Sequence, residues 1–505
     1  MHRPDTAEAE VADELAAVRP GLVPRYAAAL PGARAAVLTR LWRALAYEPL
    51  PWITGRESVR DGLVLRLTDG RRLDGPAADP YRTDAYVTAV RLDGTPYDDP
   101  ARLVTDLAVP HSAGFAAELG HSAASTALAR AGRENHPDEW PESEWGWEQR
   151  VVDGHPFHPN CRARPGFSVA EQLAYGPEHG PVVELGLLPV PAAECLVTGA
   201  WPRELRDGGR LLLPVHPWQA AHVLKRPGGE ATLAAHPLMS LRTLAVPGGP
   251  HVKTALSTRL TSSVRDISVA SVAASDTLSV FGQAVAARTG GLLDVTRTLG
   301  AATAHSPDLA AVLRESPRAY AAPGEHVVPV AALATTGLPR SPGWPAGFAR
   351  LCLTVGLGLL ELGVALEAHG QNLLVVLSTS GEPLRLVYRD LADIRVSPAR
   401  LARHGMPVPD LPARMLTDDP AALRRKLFGS LVGGALASVA GSGPVLGAAL
   451  EEAVRELPRT GDLRALCAAP LPVKALTAMR LTPGRTGDVW TVLPSPLTAG
   501  PPASG

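Results

Sequence analysis

An apolar run over residues 351–366, broken by one charge at Glu361, leads directly into Glu367-Ala368-His369-Gly370-Gln371-Asn372. The run suits a buried helix that ends near Gly370. Beyond it, residues 373–377 and 384–388 read as two strands around a Ser-Thr-Ser-Gly-Glu-Pro turn, followed by Arg389-Asp390. Paired about that turn, the strands set Asp390 opposite Gln371 and beside Asn372. Glu367, Asn372 and Asp390 then converge on one end of the hairpin. Hard oxygen ligands of this kind suit magnesium, which sits on one or two carboxylates and on nucleotide phosphates. Helix capping and turn decoration account for the same residues without a metal.

At 505 residues the chain exceeds one typical domain. A net charge of −1 excludes a nucleic-acid partner held by phosphate neutralisation. The acidic N-terminus is no signal peptide, and the apolar run is too short for a comfortable membrane span. A cytoplasmic protein is expected. Cys161, Cys195, Cys352 and Cys467 show neither zinc nor disulfide spacing. Only four of the 49 basic residues are lysine (Lys225, Lys253, Lys426 and Lys474), which suggests some are kept where a compact point charge is needed.

Helical patterns over 6–18 and 27–47 and a strand over 62–67 occupy an N-terminal part without evident chemistry. An acidic, tryptophan-rich segment, 134–148, leads onward. Strand-like runs at 210–215 and 251–257 follow, and helices dominate after 345, so the fold class is α+β. Gly154-His155-Pro156-Phe157-His158-Pro159 precedes Arg162 and Arg164, and each proline holds the preceding histidine extended. His216-Pro217-Trp218-Gln219 repeats the device. Ser240, Arg242, Thr243, Lys253, Thr261, Ser262 and Arg265 gather hydroxyls and cations of the kind a polyphosphate needs. No glycine-rich phosphate loop occurs, so side chains must hold any nucleotide.

In order, these motifs, with Tyr175-Gly176-Pro177-Glu178, resemble the NRPS-independent siderophore synthetases, the aerobactin-synthetase-like IucA/IucC family. The resemblance implies a cupped hand, often dimeric: a thumb-like domain over 1–145, fingers over 146–340, a palm over 341–485 and a loose tail over 486–505. It implies ATP- and magnesium-dependent adenylation of citrate or a related carboxylate, then attack by an amine, hydroxylamine or alcohol. Ser240, Arg242, Thr243, Lys253, Thr261, Ser262, Arg265, His158, Arg164, His369, Gln371 and Asn372 match ATP-contacting positions. Glu367, Asn372 and Asp390 match the metal shell. His369, Arg265 and Lys253 carry the chemistry, His369 titrating near neutrality. His369, Arg265, Lys474 and Arg480 bind substrate, the last two on one expected helix and about 120° apart. Arg162 stands where the family has a lysine. Two rivals remain: a kinase-like small-molecule phosphotransferase, and a non-catalytic relative of the synthetases.

Overall fold

The computed structural model describes residues 6–132, 139–261, 263–482 and 487–497. Helices Ala7–Val18, Val23–Tyr47 and Ser112–Gly132 pack beside a five-stranded antiparallel meander running from Ile53–Val59 to Thr95–Tyr97. Trp42, Leu38, Leu41 and Leu65 form the core between them. Pro31 lies inside Val23–Tyr47 without ending it.

The central part is a nine-stranded sheet in the order Leu196–Gly199, Thr298–Ser306, Leu309–Arg314, His251–Thr254, Thr243–Ala245, Thr232–Pro237, Val183–Pro191, Arg210–Val215, Arg206–Asp207. Thr243 lies opposite Lys253, and Arg314 opposite His251, two residues before Lys253 on the same face, so three adjacent strands bring polar side chains together.

In the C-terminal part, Leu373–Leu377 pairs with Pro383–Tyr388, with Leu373 opposite Tyr388. The hairpin and its register are those expected, and the Arg389 amide donates to the Asn372 carbonyl at 3.0 Å. The hairpin is flanked by His326–Pro329, antiparallel, and by Leu293–Val295, parallel. Both outer strands precede residue 341, so the expected boundary between fingers and palm runs through one four-stranded sheet.

The apolar helix is Trp344–Leu362 and stops sooner than expected. Gly363 terminates it at φ 96°, and a Cβ there would meet the Ser397 carbonyl oxygen at 3.0 Å. Val364–Ala365 then pairs with Arg395–Val396, which leaves Glu367 and His369 on a turn instead of a helix end. The helix is apolar and long enough to cross a membrane by composition. It is instead packed in the protein's largest core cluster, where Phe348, Leu353, Leu359 and Leu360 are almost fully buried. Each such side chain contributes about 1.5–3 kcal/mol of burial free energy.

Two expectations for the C-terminus fail. Lys474 lies on a strand, Leu471–Lys474, and only Arg480 lies on the following helix, Leu476–Leu481. Pro472 and the alternating burial of Leu471 and Val473 favour the strand over a helix. The expected tail contributes the partner strand Trp490–Leu493, whose Leu493 is buried opposite Leu471.

Candidate active site

A cavity of about 560 Å³ opens between the nine-stranded sheet, the loop 155–164 and the 367–393 hairpin region. That volume lies in the ordinary range of small-molecule sites. Of the residues named from sequence, His158, Arg164, Ser240, Arg242, Thr243, Lys253, Thr261, Arg265, Glu367, His369, Gln371, Asn372, Asp390 and Lys474 all line it. Ser262 lies outside the described residues. Arg480 does not line the cavity; its guanidinium pairs with Glu118 of helix Ser112–Gly132.

The sheet wall is built by strand register. Lys253 Nζ lies 2.6 Å from Asp390 Oδ2, and the Arg314 guanidinium 3.5 Å from Oδ1. Burial pushes the Lys253 ammonium down to about 8 despite its carboxylate partner. Burial alone would raise Asp390, but Lys253 and Arg314 together hold it well below the usual carboxylate range. Arg242 donates to the carbonyls of Arg265 (2.6 Å) and Asp266 (2.7 Å), and burial lowers it to about 10. Arg265 donates to the Leu260 carbonyl and to Thr261 Oγ1, each at 3.1 Å.

Backbone strain gathers on the same cavity. Leu241 (φ 68°), Thr261 (φ 59°) and Asp390 (φ 75°) are non-glycine residues in the left-handed region, and all three line it. A β-branched or bulky residue rarely adopts that conformation unless its surroundings enforce it.

Arg164, expected at the nucleotide, is already paired. Its guanidinium and that of Arg162 share the buried carboxylate of Glu178 at 2.7–3.0 Å. Although burial alone would raise it, the two guanidiniums drive Glu178 far below the usual range. The Gly176-Pro177-Glu178 motif therefore supplies the counter-ion that fixes the His-Pro loop. Gly166 and Trp218 join the two His-Pro motifs, since Trp218 Nε1 donates to the Gly166 carbonyl at 3.1 Å. Gln219 accepts from the Ser257 amide at 2.8 Å and so anchors strand Leu256–Leu260. This second motif is scaffold.

Three histidines share one local arrangement. Nδ1 of His155, His216 and His369 accepts from the backbone N–H two residues on, at 3.2, 3.1 and 3.3 Å. An accepting Nδ1 leaves the proton of the neutral ring on Nε2. Burial lowers the His369 imidazole below its ordinary value. It lines the cavity, and with Nδ1 accepting, the neutral ring carries its proton on Nε2. His158, lowered to about 3 by burial, has neither ring nitrogen hydrogen-bonded.

On the hairpin side Glu367 Oε1 meets Lys474 Nζ at 3.0 Å and Lys426 Nζ at 3.1 Å. Burial opposes ionisation, but the two ammoniums hold the carboxyl well below its usual range. The expected magnesium shell is therefore largely claimed by protein cations, Glu367 by two lysines and Asp390 by Lys253 and Arg314. Asn372 lines the cavity beside Asp390, and a cation delivered with a nucleotide would share the Asp390 carboxylate with Lys253. Among the described residues no cluster of three His, Cys, Asp or Glu forms a metal centre.

Sequence reading missed Arg314, Asp393, Asp488 and Lys426. Lys426 Nζ also meets Asp393 at 2.5 Å, and Lys474 meets Asp488 at 3.3 Å. The scarcity of lysine was the available signal for Lys426. Arg389 donates to the Gln371 carbonyl at 2.8 and 3.0 Å and pairs with Glu148 at 2.7 Å. Glu148 also accepts from the Met239 amide, so the tryptophan-rich segment ties the sheet to the hairpin.

The fold and the cavity place the chain among proteins of the siderophore-synthetase fold. Residues 144–335 match the IucA / IucC family, and residues 344–489 match a second family described as ferric iron reductase FhuF-like transporter. The whole chain superposes on petrobactin biosynthesis protein AsbB from Bacillus anthracis, with a TM-score of 0.75, 19% identity and 98% of each chain covered. It also superposes on ATP-bound aerobactin synthetase IucA from Klebsiella pneumoniae, with a TM-score of 0.72, 20% identity, and 93% and 99% covered. A citryl-spermidine/3,4-dihydroxybenzoyl-citryl-spermidine:spermidine ligase of Bacillus anthracis is 24% identical over 48% of this chain and 50% of that protein. The chain thus spans about half the length of that curated relative. It carries the IucA/IucC family region on the siderophore-synthetase fold, as its ordered motifs indicate.

Proposed function

We propose that the protein is an ATP-dependent synthetase that adenylates a carboxylate, citrate or a related polycarboxylate, and passes the acyl group to an amine. The observation that carries this reading is the cation set Arg242, Lys253, Arg265 and Arg314, which shares one cavity with Glu367 and His369. The family region and the ATP named for the similar synthetase support it.

In the first step a carboxylate oxygen attacks the α-phosphorus, the bond to the bridging oxygen breaks, and pyrophosphate leaves. Two anions approach each other, so fixed positive charge is most effective in the transition state. Lys253, Arg242 and Arg314 receive the departing phosphates, and Arg265 faces the α-phosphate. Magnesium held by Asp390 and Asn372 would offset phosphate charge. The amine nitrogen then attacks the acyl carbon, AMP leaves, and the nitrogen loses a proton. His369, whose neutral ring carries its proton on Nε2, orients the acyl or phosphate oxygen, and the proton released by the nitrogen passes to solvent.

The test supplies Mg-ATP, citrate and a panel of amines, and follows the nucleotide products. AMP and pyrophosphate in equal amounts are expected. Stoichiometric ADP overturns the proposal and favours a phosphotransferase.

A further inference from the structure

Helix Val23–Tyr47 belongs to the part of the chain that shows no chemistry in its sequence, yet it sends one guanidinium to the site. Arg43 is 6% exposed and fully desolvated, donates Nε to the Pro80 carbonyl at 2.6 Å, and lies 4.5 Å over the Phe157 ring. Arg43 lines a chamber of about 90 Å³ that adjoins the main cavity across His155 and His369.

Among the described residues no carboxylate lies within ion-pair distance of Arg43. The nearest influence is Glu48, whose oxygens accept from the Thr477 and Ala478 amides at 3.2 and 2.7 Å. By contrast, the other cations of the chamber are matched. Lys426 and Lys474 share Glu367, Asp393 and Asp488, and Arg395 completes Asp393. A buried guanidinium left without an anion is costly unless a ligand brings one.

The chamber's dimensions limit that ligand group. About 90 Å³ is the liquid-phase share of three water molecules, enough for a carboxylate and one or two carbons. Glycines make the room. A Cβ at Gly433 would meet Val473 at 2.6 Å, whereas at Gly434 it would meet only the Gly429 carbonyl oxygen at 3.6 Å and His369 Cβ at 3.8 Å. Lys253, Arg242 and Arg265 do not line the chamber, which sets it apart from the sheet wall.

Building on the synthetase reading, we infer that this chamber receives the carboxylate of the amine substrate, which is an amino acid and not a polyamine. Arg43 is the residue that selects it. A polyamine arm would set a second unpaired cation against Arg43, the reverse of what the spermidine named for the curated relative requires.

Ornithine and putrescine are the discriminating probes, because they differ by one carboxylate. In the complete reaction wild type prefers ornithine, and Arg43→Met raises its KM about 10- to 100-fold, the range for losing hydrogen bonds to a charged group. Putrescine kinetics stay unchanged, and Arg43→Lys restores part of the preference. Arg43→Met also loses the Pro80 contact, so Gly434→Val provides a second route: it fills the chamber and weakens ornithine alone. ATP–pyrophosphate exchange with citrate and no amine is unaffected by either change. A raised citrate KM in that exchange assigns the chamber to the acyl substrate and overturns the inference. Equal use of both amines by wild type overturns it too. Absence of exchange with any carboxylate refutes the synthetase reading instead. In that case calorimetry decides the inference: tighter binding of ornithine than of putrescine, lost in Arg43→Met, sustains it, and no difference overturns it.

Discussion

On the sheet wall Lys253 and Arg314 pair with Asp390 while Arg242 and Arg265 donate to backbone carbonyls, whereas on the hairpin wall Lys426, Lys474 and Arg395 are matched by Glu367, Asp393 and Asp488. One wall holds positive charge in excess, held apart by backbone carbonyls; the other is neutral and cross-linked. Excess charge is where a polyanion is drawn, and matched charge keeps its shape with or without a ligand. Under the proposed function, the difference would give substrate attraction to the sheet and geometric support to the hairpin side.

The triad of Arg162, Arg164 and Glu178 is the sharpest instance of matched charge. Glu178→Gln leaves two buried guanidiniums uncompensated and is expected to cost about 3–5 kcal/mol in stability. Denaturant melts check this, and near-wild-type stability would mean that water already serves those cations. Because the folded carboxyl lies below its ordinary value of 4.5, its contribution is present above that pH and disappears as pH falls through the lowered folded value.

Lys253→Met tests the wall with excess charge. It is expected to lower kcat/KM for ATP about 100- to 1,000-fold, the scale of one transition-state charge contact, while the melting point stays near wild type. A large stability loss with normal ATP kinetics would erase the distinction between the walls.

Lys474→Ala probes the matched wall more gently. Glu367 keeps Lys426, so stability should fall by about 1 kcal/mol. The apparent KM for the carboxylate should rise several-fold while that for ATP holds. A change confined to ATP would move Lys474 to the nucleotide.

The wall with excess charge also answers to pH. Burial lowers Lys253 to about 8, so its charge is lost as pH rises through that value, well before an ordinary lysine would respond. Initial rates at limiting ATP should decline about tenfold per pH unit above 8, and a flat profile to pH 9.5 would free Lys253 of the role.

How much of this could be read in the chain depends on range. The hairpin register, the polar set from Ser240 to Arg265 and the helix over the core follow from local periodicity and turn chemistry. What was misread depends on distant partners. Arg164 looked like a phosphate ligand until Glu178 claimed it, and Glu367 looked like a metal ligand until two lysines arrived from residues 426 and 474. Lys474 reads as helical although Pro472 is a local signal against it, because the strand is completed only by pairing with Trp490. Arg43 carried no signal, since one arginine in an alanine-rich helix resembles any other.

The contacts from Glu48 to the Thr477 and Ala478 amides span 429 and 430 residues, and Lys474 closes on Glu367 across 107. During synthesis at about 5–20 residues per second, a ribosome takes tens of seconds to pass from the first of these groups to the last. For that whole interval Glu48 lacks the amides that hold it, whereas Glu367 waits 107 residues for Lys474 and fewer for Lys426. The strands of the sheet wall, within residues 183–314, are all made before Asp390, so its cations are in place before the carboxylate that pairs with Lys253 and Arg314.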